Sequence, residues 1–170
     1  MVDNLNLLHL GIVLSAVSCL QLALRDAAGH SMRPLRMFAT PALAVLTALA
    51  VLLLVATESW LKQIWAGALI VGLLVGAIRG SMMKILVDQM WGRVRLPTGR
   101  HTVWIALALM LAVALEVLIA VFGTVVSPYH AFPSAVAALC AGILLGRAVA
   151  VAIRIPHAPD YEFGRPQRRR

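Results

Sequence analysis

Five stretches of this chain are apolar for about 20 residues each, with polar residues collected in the gaps. About 20 largely apolar residues let a helix cross roughly 30 Å of hydrocarbon. The pattern predicts spanning helices at about residues 5–24, 38–57, 64–87, 102–126 and 134–155. The first run ends at Arg25 and Asp26, and with no basic lead-in or small-residue cleavage site it reads as an anchor, not a signal peptide. Pro41 falls in the first turn of the second helix, where a missing N–H is harmless. Glu58 to Gln63 form a short turn, and Pro156 stops the fifth helix.

The expectation is an all-α, polytopic membrane protein: one transmembrane domain over residues 1–157 built as a five-helix bundle. A basic tail, 158–170, carries Pro159, Pro166 and Arg168 to Arg170, and its composition predicts disorder. The one sizeable loop runs from Asp88 to His101. Arg93-Val94-Arg95-Leu96 alternates polar and apolar residues ahead of a Pro97-Thr98-Gly99 turn signal. Two readings stand for this insert, a small hairpin or strand and an irregular charged connector.

Charge orients the bundle. Arg25, Arg33 and Arg36 follow the first helix, and Arg79, Lys84, Arg93, Arg95 and Arg100 lie around the loop between the third and fourth. Arg147, Arg154, Arg165, Arg168, Arg169 and Arg170 belong to the end of the fifth helix and the tail. Only Lys62 falls on the other side. Lys and Arg beside spans stay in the cytoplasm, which predicts the N-terminus out and the C-terminus in. Trp60, Trp65, Tyr129 and Phe132 gather at the outer boundary, and Phe38, Trp91 and Trp104 at the inner one, as interfacial rings do.

Composition narrows the class further. An apolar share of 61% with a mean hydropathy of +0.89 exceeds what one soluble core can hide. The net charge of +8 then belongs to loops facing an anionic leaflet, with no aromatic or helical accompaniment of the kind nucleic-acid binding needs. Lipid is the expected surrounding.

Small residues mark the expected seams. Ala68, Gly72, Gly76 and Gly80 recur every four residues in the third helix, as do Ser134, Ala138, Gly142, Gly146 and Ala150 in the fifth. In lipid such rows let backbones approach closely, in the manner of a glycine zipper. Gly11, Ser15 and Ser18 are a shorter version in the first helix. Gly72-Leu-Leu-Val-Gly76 superimposes on Gly142-Ile-Leu-Leu-Gly146 at an offset of 70 residues, so a lone helix followed by two parallel repeated hairpins is one arrangement to test.

Charges within a span are costly and point to a partner or a pathway. Glu116 lies about 21 Å into the fourth helix and Arg147 about 12 Å into the fifth, at 1.5 Å per residue. His9 lies in the outer part of the first helix, and Arg79 is near enough to the inner surface to snorkel. Glu116 reads either as a proton- or cation-binding group or as half of a bridge to Arg147 or His9.

Other chemistry is not expected. Cys19 and Cys140 fall at depths about 13 Å apart at the helical rise, too far for a disulfide, and read as packing residues. Of the five histidines only His9 lies within a span, which gives no facing pair for haem. No metal-ligand spacing, nucleophile elbow or phosphate loop occurs, so neither a metal, a cofactor nor catalytic residues are expected.

The layout resembles that of the CcdC-like family of small bacterial integral membrane proteins. The matching stretches are Arg25 to Pro41, Gly67 to Arg79 with the Val94–Leu96 insert, and Gly142 to Arg154. The resemblance implies a multi-pass protein of the bacterial inner membrane without established catalytic residues. The expected function is a non-enzymatic accessory or assembly factor that packs against a membrane-protein partner or a second copy of itself. The alternative is a small transporter or channel using Glu116 and Arg147, and behind it a haem or redox membrane protein.

Overall fold

The computed structural model describes residues 7–27, 34–55, 59–83, 85–88, 93–95, 101–122 and 131–157. Five long helices dominate it: α1 (Leu7–Ala27), α2 (Ala39–Val55), α3 (Ser59–Met82), α4 (His101–Phe122) and α5 (Ala131–Arg154). Each is long and apolar enough to cross a membrane. Short 3-10 turns at Pro34–Phe38 and Ile155–His157 flank α2 and α5.

The boundaries shift from the expected ones for identifiable reasons. Arg25 and Asp26 continue α1 as helix, because Asp26 accepts a 2.9 Å hydrogen bond from the Thr40 hydroxyl of α2. Residues 59–63, expected as a turn, form the start of α3, so Lys62 is helical. α3 then stops at Met82, and Leu86 and Val87, expected as helix, instead belong to a strand. α5 begins three residues early, with Pro133 in its first turn, where no N–H is needed. Residues 123–126 and the tail at 158–170 lie outside the described residues.

The insert is a ribbon. β1 (Leu86–Asp88) pairs antiparallel with β2 (Arg93–Arg95), Val87 opposite Val94. Val94 is fully buried in an apolar plug with Met37, Ile85 and Val151, so the ribbon closes one end of the bundle. This is the end that carries Arg79, Arg147 and Arg154, and it is called the basic end below.

Four helices form a ring in the order α1, α2, α5, α4, each packed on its neighbours. Neighbours in the ring run antiparallel, as the bonds Asp26–Thr40 (α1 to α2) and Arg147–Thr102 (α4 to α5) show. The centre is filled largely by small side chains: Ala44, Ala48, Ala106, Ala112, Ala137 and Ala141, with Leu109 and Leu144 between them. α3 stands outside the ring, packed on α5, and that contact is the most extensive between any two helices. Most of its remaining surface is exposed, including Ile70, Val71, Leu74 and Ile78.

Candidate functional site

The glycine rows meet face to face. A Cβ built on Gly76 would fall against the backbone of Ile143 and 2.9 Å from the Arg147 nitrogen, and one on Gly80 would lie 2.8 Å from the Arg147 carbonyl oxygen. Reciprocally, a Cβ on Gly142 would lie 2.9 Å from the Leu73 nitrogen, and one on Gly146 would be 3.0 Å from the Ala77 nitrogen. Gly72 packs on Leu139 and Gly142 in the same way. α3 and α5 therefore run parallel with backbones in contact, a separation that only residues without a side chain permit. Gly72 lies level with Gly142 and Gly76 with Gly146, so the 70-residue offset of the sequence is also the structural register. Ala138 is fully buried and Ala68 half-buried, each one turn before its glycines, while Ser134 is buried near the start of α5.

At the basic end α5 supplies two arginines with different tasks. The Arg154 guanidinium donates to the carbonyl oxygens of Gly80 (3.0 Å) and Met83 (2.8 Å). The last carbonyls of a helix have no intrahelical donor, so Arg154 caps α3 from a neighbouring helix. Arg147, half-buried, donates from Nη1 to the Thr102 hydroxyl in the first turn of α4. Asp26 is the opposite charge acting on it and Arg79 the like charge.

That bond rules out one expected pairing. Glu116 lies fourteen residues beyond Thr102 on α4, about 21 Å along the axis, so Arg147 cannot reach it. Depth counted from expected helix ends had put the two side chains within reach. The Arg147 side chain turns instead to Thr102, toward the basic end and away from Glu116.

The structure places His9 as the level counterpart of Glu116. Both are buried, His9 at 7% and Glu116 at 4% exposure. The buried positions of α1 run His9, Ile12, Ala16, Cys19, Ala23, and those of α4, read backwards and with Ala112 beside Val113, run Glu116, Val113, Leu109, Ala106, Thr102. Both follow three-four-three-four spacing, the seam of two antiparallel helices wound at a shallow angle. Ile12 and Val113 share one buried cluster, and Cys19 and Ala106 another, in keeping with that register. One turn beyond Ile12 and Val113, His9 and Glu116 fall on the same level, away from the basic end.

A third polar group ties α1 to α2 midway. Ser15 and Thr47 are hydrogen-bonded at 2.6 Å, and the Thr47 hydroxyl also lies 2.7 Å from the Leu43 carbonyl one turn back on its own helix. Nearer the basic end the Cys19 thiol points to the Thr40 carbonyl at 3.6 Å. Sequence reasoning missed Ser15–Thr47, Asp26–Thr40 and Thr102 as partners. Isolated Ser and Thr in an apolar run were the available signal, since each hydroxyl in lipid needs an acceptor.

Cys19 and Cys140 are both free and buried in the same apolar cluster. Among the described residues no group of three His, Cys, Asp or Glu side chains converges as a metal site would require. The chain matches no protein-family model, no curated protein and no solved structure.

Proposed function

We propose that this membrane protein is a non-enzymatic accessory or assembly factor of the bacterial inner membrane, related to the CcdC-like proteins, with its N-terminus outside and its basic end in the cytoplasm. It acts through helix packing with other membrane chains. The observation that carries the reading is the closed interior. The ring interior is filled largely by alanine and leucine side chains, with the Ser15–Thr47 pair midway, as a packing scaffold would be. The peripheral α3, held on one neighbour and apolar on its outer side, suits a protein that adds helices to an assembly.

The second reading, a small transporter or channel using Glu116 and Arg147, draws on the burial of Glu116 within a span. The separation of the two residues would make them act at two levels, not in one site. Labelling of Glu116 with a membrane-permeant carbodiimide tests the choice. The accessory reading expects the same labelling with and without added solutes or cations, and protection by a particular solute would overturn it in favour of transport.

A further inference from the structure

Near the basic end, the side of α3 turned away from α5 is not flat. Val75, Ile78, Arg79 and Met82 follow i, i+3, i+4, i+7 spacing, which puts them on one face of the helix. With Met83 they line an open recess of about 510 Å³, inside the roughly 300–1,000 Å³ typical of ligand sites. Val75, Ile78 and Met82 are exposed and apolar, and Arg79 is half-buried among them. α3 has 24 residues and is about 36 Å long, more than the roughly 30 Å of hydrocarbon, so its last turn reaches the headgroups.

The arginine of this recess is not used within the protein. Carbonyls at the end of α3 are taken by other donors: Arg154 bonds Gly80 and Met83, and the Ser81 hydroxyl donates to Ile78 at 2.7 Å. Among the described residues Arg79 has neither a hydrogen bond nor an ion pair. Its charged neighbour Arg147 has the same sign, and Asp26, which acts on Arg147, accepts from Thr40. A guanidinium carries five N–H donors and no acceptor, so Arg79 is left with donors and positive charge at the headgroup level.

We propose that the recess binds an anionic phospholipid, with Arg79 holding the phosphodiester and the Val75–Ile78–Met82 face taking the first part of an acyl chain. Phosphate oxygens match the planar fork of a guanidinium, which takes them in pairs. The occupant is a lipid and not free phosphate, because the charge sits beside an apolar face about 10 Å long at the helical rise, which a tail covers and an ion does not. It is anionic and not zwitterionic because Arg147 and Arg154 of α5 add positive charge beside Arg79, and an ammonium headgroup would add more. Met82 and Met83, unbranched and flexible, adapt to chains of different shape. Lipid binding here goes beyond the assembly reading and would hold whether or not other chains pack on the bundle.

Full-length protein in a neutral detergent, titrated with dioleoyl phosphatidylglycerol or dioleoyl phosphatidylcholine and followed by native mass spectrometry, tests it. No charged leaflet is present there, so only a lipid held at a site registers. Phosphatidylglycerol should bind in preference, and inorganic phosphate should not displace it. Arg79→Gln should weaken that binding roughly tenfold or more, the worth of hydrogen bonds to a charged group, and Arg79→Lys should keep part of it. Because Arg79 bonds nothing among the described residues, Arg79→Gln should keep the parental unfolding midpoint. Arg36→Gln, an exposed arginine on the turn before α2 at the same end, should leave binding nearly unchanged. A phosphatidylglycerol carrying a diazirine on its acyl chain should label residues 75–83. Equal binding of the two lipids, equal losses in Arg36→Gln and Arg79→Gln, or labelling confined to the other helices would overturn the proposal.

Discussion

Thr102 of α4 accepts the guanidinium of Arg147 of α5, and this contact fixes how the two helices slide against each other. Thr102 is buried in the first turn of α4, so replacing it leaves a half-buried cation without its acceptor. Thr102→Val should cost about 1–3 kcal/mol, the range for a buried group deprived of its hydrogen bond, and Thr102→Ser should cost less. Thermal unfolding in detergent is the measurement. Equal midpoints for Val and Ser would show that the contact contributes nothing.

The α3–α5 seam makes opposite predictions for two glycines of one helix. Gly76→Ala drives a methyl into the Ile143 and Arg147 backbone and should destabilise by about 1–3 kcal/mol, as overpacking does. Gly67 has open space around it, so Gly67→Ala should be neutral or gain up to about 1 kcal/mol from helix propensity. Denaturant titration of both variants decides. Equal losses would mean that the helices are not in backbone contact.

His9 and Glu116, level on α1 and α4, should behave as a coupled pair. A double-mutant cycle with His9→Ala and Glu116→Gln should give a coupling energy of roughly 0.5–3 kcal/mol, whereas Glu116→Gln with Arg147→Met should be additive to within about 0.5 kcal/mol. Additivity in the first cycle, or strong coupling in the second, would refute the register drawn here between α1, α4 and α5.

Arg154 holds the end of α3 from α5, through the Gly80 and Met83 carbonyls. Removing it with Arg154→Gln should fray the last turn of α3 without unfolding the bundle. Amide hydrogen exchange over residues 80–83 should accelerate severalfold while α4 stays protected, and Arg154→Lys should recover part of the protection. Uniform loss of protection across the helices would point to a global role instead.

Much of this architecture was legible in the chain because lipid imposes simple rules. Apolar length gave five helices, and the four-residue spacing of Gly72, Gly76 and Gly80 marked the side of α3 that lies on α5. The partners of the polar residues were less legible. Periodicity says which residues share a face, but not where a long side chain finds its partner, and the Arg147 guanidinium bonds Thr102, about four turns from Glu116. The ends of α3 were misplaced for a related reason. Apolar content continues through Ile85 to Val87, yet the helix stops at Met82, where Arg154 caps it and Val94 supplies a strand partner for Val87. Hydropathy carries no trace of either contact.

The central claim, that this protein works by packing against other membrane chains, is most directly tested by gentle extraction from its native membrane with a tag on the chain. The account predicts a particle of defined stoichiometry containing a second copy, another membrane protein or both, with the same composition when Glu116 is replaced by Gln. A monomer without companions, from cells in which Glu116→Gln abolishes movement of a solute across the membrane, would contradict it.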